Sequence, residues 1–298
     1  MKSNVLVAGA TGNLGTRICS ELIKKGVSVR AIVRPSSDQE KFETLRRLGV
    51  EVEVRDLSRV DDIAESCVGI NCVVSALAGL AEVIVDLQTR VLDAALKAGV
   101  PRFIPSDFCT DYNFLEPGDN RNFDLRRTFK SYLDSTGIQA SSIFNGAFAD
   151  ILKYNTPVLN LKDKSIGYWG DKAHWKLDFT TMDNTAAFTA AVALDDSAPR
   201  DLQIASFQIS PDELRTQVQE ITGSGFSMIM MSSLEEFAAY IEKQRANDPA
   251  GEYELYAKWQ QSQYMYSMFS TQHAELANGR YQEIAWVSGR EYLETFVR

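Results

Sequence analysis

Histidine is nearly absent from this chain: only His174 and His273 occur in 298 residues. Two histidines cannot build a histidine-rich metal centre, and a Ser-His-Asp machine would have to rest on one of them. His174 lies in Lys172-Ala173-His174-Trp175, a loop suited to bordering a pocket, whereas His273, in Thr271-Gln272-His273-Ala274-Glu275, reads as a solvated helix-end residue. Cysteine is scarce too. Cys19, Cys67, Cys72 and Cys109 form no CxxC pair, which argues against zinc and dithiol chemistry and for reduced, buried thiols in a cytosolic protein. Positive charge is in deficit: 31 Lys and Arg stand against 40 Asp and Glu, a net charge of −9 with a pI near 4.9. That balance disfavours nucleic-acid partners, because phosphate contacts need a basic surface. No run of about 18 apolar residues exists, so no membrane-spanning helix is expected. Met1-Lys2-Ser3-Asn4-Val5-Leu6-Val7-Ala8 enters strand-like sequence at once, which predicts no signal peptide and a cytoplasmic location. There is no repeat, low-complexity tract or Pro/Gly/Ser-rich linker.

What is present is ordinary globular material, 45 % apolar and 10 % aromatic. Short apolar runs at Val5–Ala8, Val27–Val33, Val50–Val54, Asn71–Ser75, Arg102–Pro105 and Ser141–Phe144 read as strands. Between them lie helical stretches, the clearest from Ala81 to Ala98 with Gly99 as its stop. Buried strands alternating with helices predict a doubly wound parallel sheet covered on both faces. The second half differs. Ser165–Trp169 and Lys176–Thr180 flank Gly170-Asp171 and read as a hairpin or tight connection, and Gln203–Ile209 reads as a further strand. Ser210-Pro211-Asp212-Glu213, Ser233–Glu236 and Ser288–Glu291 carry capping boxes. Residues 253–268 form a helix rich in aromatics and methionine. The expected division is residues 1–155 and 156–298, the second being a smaller mixed α/β substrate-binding region, with the strand near 203–209 a candidate to return to the main sheet.

Gly9-Ala10-Thr11-Gly12-Asn13-Leu14-Gly15 sits between the first strand and the first helix. Gly9 permits the tight turn, Gly12 lets backbone approach a pyrophosphate, and Gly15 lets helix and strand pack closely. The helix N-terminus then offers N–H groups and the positive end of its dipole to the anion. The flanking strand and the Leu14/Ile18/Leu22 stripe supply the context of a Rossmann-type dinucleotide site. At the end of the second strand stands Arg34, where an acidic residue would hold the ribose hydroxyl of NAD. Guanidinium binds phosphate bidentately, so Arg34, followed by Pro35-Ser36-Ser37, selects NADP(H). Asp56-Leu57 and Ser75-Ala76-Leu77 follow the third and fourth strands, at the strand ends where open α/β sheets bind ligands.

The GxxGxxG spacing resembles the short-chain dehydrogenase/reductases. Val7–Gly15, Val33–Ser36, Leu92–Phe108 and the terminal Glu291–Val297 make nearly the whole chain similar to the isoflavone-reductase-like, NmrA-like branch, with Arg102–Phe108 the most family-specific stretch. The resemblance implies that Lys41 lies by the 2′-phosphate, Asp56-Leu57 beside the adenine, Ser106 beside the cofactor, and Asn145 and Phe148 by the nicotinamide. It also implies a catalytic lysine on the helix after the Pro-Ser-acid-Phe motif, a position at which this chain has Arg126. Arginine stays protonated at any working pH, so Arg126 suits stabilising an oxyanion or binding ribose and is a poor acid or base. Lys130, one turn on, would supply an ammonium if the helix is shifted, and Asp107, Tyr112 and His174 are further proton-donor candidates. Tyr168-Trp169-Gly170-Asp171-Lys172 has Tyr-x-x-x-Lys spacing but falls in a glycine-bearing connection, not on a helix. Phe108, Phe148, Ile151, Leu152 and Trp169 are candidates for an apolar aromatic pocket, with Met228, Met230, Met231, Tyr264, Met265, Met268 and Phe269 as core or additional pocket surface.

Three functions remain open on the sequence. The first is an NADPH-dependent reductase of a small aromatic or hydrophobic metabolite, acting as monomer or homodimer. The second is a dinucleotide-binding sensor without turnover. The third is an isomerase or lyase that retains its cofactor.

Overall fold

The computed structural model of the chain describes residues 4–36 and 38–297; Met1–Ser3, Ser37 and Arg298 lie outside the described residues. Six strands pair in parallel: β1 (Asn4–Ala8), β2 (Ser28–Val33), β3 (Glu51–Val54), β4 (Cys72–Ser75), β5 (Arg102–Ile104) and β6 (Gln139–Ala140), in the order β3-β2-β1-β4-β5-β6. This is the doubly wound order, with the direction of winding reversing between β1 and β4. Both strands at that switch are buried along most of their length, Val5, Leu6, Val7, Cys72, Val73 and Val74 being fully inaccessible. Helices cover them: α1 (Asn13–Lys24), α2 (Gln39–Arg47), α3 (Val60–Cys67), α4 (Gln88–Lys97) and α5 (Arg121–Ser135). A one-sided apolar stripe of Ile18, Cys19 and Leu22 is what α1 buries. Leu6, Val73, Val91, Leu92, Phe103 and Phe129 share one core cluster under the sheet.

The sixth strand of the sheet is 139–140, not 141–144. After the Ser141 N–H bonds the Phe103 carbonyl at 3.1 Å, the chain changes partner, and the Ser142 N–H donates to Arg200 at 2.7 Å. β7 (Ser142–Phe144) therefore pairs with β11 (Asp201–Gln203). Further along come β8 (Ala147–Phe148), β9 (Ser165–Tyr168), β10 (Leu177–Thr180), β12 (Phe207–Ile209) and β13 (Ser227–Met230). Two expectations change here. β9 and β10 are not hairpin partners: β9 pairs in parallel with β13, and β10 lies between β12 and β8. The single strand expected at 203–209 is two, because Ala205 and Ser206 turn aside to bond Asn278 and Asn184, and neither half joins the six-stranded sheet. The remaining helices are α6 (Met182–Val192), α7 (Pro211–Thr222), α8 (Leu234–Asn247), α9 (Lys258–Ser270) and α10 (Gly289–Glu294), and the capping boxes at Ser210, Ser233 and Ser288 all form.

Two compact units interleave along the chain rather than dividing near residue 155. The first comprises Met1–Phe108, Asn122–Ile143 and Thr185–Leu202 and holds the six-stranded sheet; the second comprises Cys109–Arg121, Phe144–Asn184 and Gln203–Arg298. Within the first, the buried Arg102 guanidinium caps the end of α6, donating to the carbonyls of Val192 and Ala193 at 2.6 and 3.0 Å, which draws 185–202 onto β5. Among the described residues, no helix is long and apolar enough to cross a membrane, and no cluster of three His, Cys, Asp or Glu side chains could hold a metal.

Candidate cofactor and active site

The glycine turn is forced by contact. Gly9 has φ +83°, and a Cβ there would stand 2.5 Å from the Ala76 carbonyl oxygen at the exit of β4. A Cβ on Gly15 would come within 2.8 Å of the Gly9 carbonyl carbon. Gly12 is different: its φ is −79° and an added Cβ would meet the Gly9 carbonyl oxygen at 3.3 Å, a tight contact but a milder one than at Gly9 or Gly15. Gly12 is the N-cap of α1, supplies no side-chain cap, and is followed by no acid in the first turn. The N–H groups opening α1 and the positive dipole end are thus left to a ligand.

A groove of about 420 Å³ opens at this turn, lined by Thr11, Gly12, Asn13, Thr16, Arg17, Lys41 and Thr44. Arg17 donates to Asn13 Oδ1 at 3.0 Å, which aims it along the helix N-terminus. Thr16, Arg17 and Thr44 were not among the sequence candidates; the i,i+3 and i,i+4 spacing of Thr16 and Arg17 from Asn13 was the available signal. Arg34, Ser36 and Lys41 are exposed, and neither cation forms an ion pair among the described residues. Asp56 is exposed, and its carboxyl is held below the usual range by the Ser58 hydroxyl and N–H, at 2.7 and 3.0 Å. Leu57 is half-buried, its carbonyl accepting from Arg90 at 3.1 Å. Ser75 is fully buried, and its hydroxyl has no protein partner.

Ser106 is a node at the ends of β4 and β5. Its Oγ donates to the Leu77 carbonyl at 2.6 Å, its N–H donates to Gln88 Oε1 at 2.9 Å, and its carbonyl accepts from Arg126 Nε at 3.0 Å. Arg126 also donates to the Asn122 carbonyl one turn back, at 2.9 Å. Asp107 is buried, and its Oδ2 accepts from Ser142 Oγ at 2.7 Å. Lys130 Nζ is paired with Asp134 at 2.7 Å rather than presented to a ligand. Phe108 is buried.

The second unit holds the remaining candidates. Asn145 is fully buried, and neither Oδ1 nor Nδ2 has a protein partner, while its carbonyl accepts from Thr180 Oγ1 at 2.6 Å. Phe148 and Ile151 are half-buried. Leu152 and Trp169 belong to the core; Trp169 stacks on Phe237 at 4.6 Å and leans on Phe269 at 5.0 Å. Met268 and Phe269 are core as well, while Met230 and Met231 are exposed. Tyr112 is buried edge-on to Phe144. Of the two histidines, only His273 departs from its expected place. His174 is exposed. His273 is buried: its N–H donates to Asp178 Oδ2 at 2.8 Å, its carbonyl accepts from Gln208 at 2.9 Å, and its Nδ1 lies 3.9 Å from that same Asp178 oxygen. Burial holds the Asp178 carboxyl above its ordinary range. All four cysteines are buried, and burial pushes the Cys19, Cys67 and Cys72 thiols up to about 12, so none of these three is a ready thiolate nucleophile.

A doubly wound sheet whose first turn is glycine by steric necessity defines a dinucleotide-binding fold. More narrowly, the chain belongs to the NmrA-like family, whose sequence profile matches residues 1–276. It is 26 % identical to pinoresinol reductase 2 of Arabidopsis thaliana over a 321-residue alignment spanning 99 % of this chain and 98 % of that one. Its fold matches the solved structure of AtPrR2 with NADP+ and (+)pinoresinol at a TM-score of 0.81, with 24 % identity and 99 % of each chain covered. It also matches the binary complex of leucoanthocyanidin reductase and NADPH from Vitis vinifera at a TM-score of 0.77, with 19 % identity over 99 % of each chain.

Proposed function

We propose that this protein is an NADPH-dependent reductase of a small aromatic metabolite, of the class to which pinoresinol belongs. The observation that carries the reading is the Ser106 node: a permanently charged guanidinium, Arg126, is pinned to Ser106 at 3.0 Å, and Ser106 is tied at 2.6 Å to Leu77, two residues beyond β4. That puts a fixed cation at the strand ends where open α/β sheets bind their ligands.

The residues suit an NADP(H) guest. Gly12, Asn13 and Leu14 would meet the pyrophosphate at the uncapped start of α1. Arg34 and Lys41, exposed cations, and the Ser36 hydroxyl would hold the 2′-phosphate, with Arg17 lining the same groove. Asp56 and Leu57 would flank the adenine, and Ser75, Ala76, Leu77 and Ser106 the middle of the molecule. Within the second unit, the buried Asn145 amide has no protein partner and keeps its bonding capacity for a ligand. Bound NADPH supplies a hydride. Arg126 stabilises negative charge developing on the substrate and keeps its own proton, so the proton that completes the reduction comes from another group or from water. Within the second unit, the half-buried Phe148 and Ile151 offer apolar surface suited to an aromatic substrate, whereas the core positions of Leu152 and Trp169 let them act only by supporting that surface.

A second reading, an NADP(H) sensor without turnover, is favoured by one fact: the Arg126 guanidinium already serves the carbonyls of Ser106 and Asn122. Titrating NADPH and NADP+ against the protein, then following NADPH absorbance with pinoresinol, aromatic ketones, quinones and benzylic ethers, separates the two. Tight binding with turnover on one substrate is the expected result. Binding without turnover on any of them gives the sensor, and failure to bind either nucleotide sinks both readings.

A further inference from the structure

Arg200, just before β11, joins two parts of the first unit that are remote in sequence. Its Nη2 and Nε reach Asp134 Oδ1 at 2.8 and 3.0 Å, and its Nη1 donates to Ser142 Oγ at 2.6 Å. Ser142 Oγ in turn reaches Asp107 Oδ2 at 2.7 Å. The direction of this chain is forced. Arginine only donates, so the Ser142 hydroxyl accepts from Arg200 and spends its own proton on Asp107. Asp107 Oδ2 is therefore an acceptor, and the run Arg200–Ser142–Asp107 carries no proton outward, because a guanidinium does not give one up. It is a strut, not a relay.

The strut has a second anchor on the same helix. Asp134, near the end of α5, is clamped by Arg200 and by Lys130 at 2.7 Å. Arg126 lies on that helix eight residues earlier, about 12 Å along its axis. α5 thus grips the Ser106-Asp107 segment twice: directly, through Arg126 on the Ser106 carbonyl, and indirectly, through Asp134, Arg200 and Ser142 on the Asp107 carboxyl. We propose that Arg200 and Ser142 are positioning residues that set the Ser106-Asp107 segment in register with Arg126, and that Lys130 serves the same scaffold by holding Asp134. This rests on the reading above that Arg126 faces the reacting group. It assigns Lys130 a purpose other than replacing a catalytic lysine.

The test uses the full chain and the variants Arg200→Met, Ser142→Ala and Ser142→Thr. NADPH affinity is expected to fall by at most about fivefold, because Ser106 is one cofactor contact among many and the glycine turn does not touch the strut, while kcat falls about 10²-fold, the effect of roughly 1 Å of misplacement. Ser142→Thr, which keeps the hydroxyl, should recover most of the lost kcat. Amide hydrogen exchange across residues 106–108 should rise about tenfold in Arg200→Met and Ser142→Ala, as expected for loss of local restraint. That exchange is read without any substrate, so it decides the strut even if the wild type turns over nothing and the reductase reading falls. Ser142→Ala leaves the Arg200–Asp134 pair intact, which keeps the test available if Arg200→Met fails to fold. Wild-type exchange at 106–108 in folded Ser142→Ala would overturn the proposal, as would a kcat loss that Ser142→Thr does not recover.

Discussion

Gly15 packs so tightly beneath Gly9 that any side chain on it would collide with the Gly9 carbonyl. Gly12, three residues from each, meets nothing closer than 3.3 Å. The three glycines of one motif therefore answer to different demands, and mutation should separate them. Gly15→Ala should destabilise the chain by about 1–3 kcal/mol through overpacking, lowering the urea midpoint. Gly12→Ala should lower the midpoint less than Gly15→Ala does, yet weaken NADPH binding by about tenfold or more, because its methyl stands where the pyrophosphate approaches. Equal effects on stability and binding in both variants would show that Gly12 is structural.

Arg34 and Lys41 are exposed cations on a protein of net charge −9. If they meet the 2′-phosphate, Arg34→Ala should cost about 10- to 100-fold in NADPH affinity, the worth of a charge-assisted bidentate contact, and under threefold in NADH affinity. Lys41→Ala should act in the same direction with a smaller loss, being a point charge on a flexible stem. Fluorescence titration of both nucleotides against both variants measures this. Parallel losses for NADPH and NADH would remove the cofactor assignment.

Arg126 gives a test through pH. A guanidinium holds its proton throughout the working range, so the wild-type kcat should show no alkaline limb from this group. Arg126→Lys introduces an ammonium that titrates near pH 10 or lower when desolvated, and should create such a limb. Arg126→Met should lower kcat by about 10²-fold or more, the usual cost of removing one charge-stabilising donor, with NADPH affinity nearly unchanged. An Arg126→Lys variant more active than wild type would favour the sensor reading for the native chain.

The doubly wound order was legible because its signals are local. A parallel strand buried on both faces is a short apolar run closed by a turn residue, as at Val5–Ala8 before Gly9, and the glycine turn is a single loop whose sterics involve few neighbours. Partners distant in the chain were not legible. Ser142–Phe144 reads as the sixth sheet strand until its bond to Arg200 is seen, 58 residues away. His273 reads as solvated because its partners, Asp178 and Gln208, stand 95 and 65 residues earlier. Trp169 reads as pocket surface until Phe237 and Phe269 close over it. Lys130 is the instructive middle case: its partner Asp134 is one helical turn away and was within reach of an i,i+4 argument.

Glu53 contributes to the pH dependence of stability in the first unit, beside Asp56, Asp61 and Asp134, whose carboxyls are also held low. Burial raises its carboxyl pKa, but the Ser66 hydroxyl, Arg55 at 2.8 Å and Arg30 at 2.9 Å outweigh burial and hold it below the usual glutamate range. A depressed folded pKa means the stabilisation is complete above the unfolded value and is lost as pH falls through the folded one. Glu53→Gln should therefore cost about 1.5–3 kcal/mol at pH 7, the range for hydrogen bonds to a charged group. The gap between wild type and variant should persist down to the ordinary glutamate pKa and close only below it, as the wild-type carboxylate takes up its proton. Urea midpoints of the two proteins measured across the acid range follow this gap. A gap that stays constant through the acid limb would mean that Glu53 acts through packing rather than charge, and a gap that widens in acid would reverse the assigned direction.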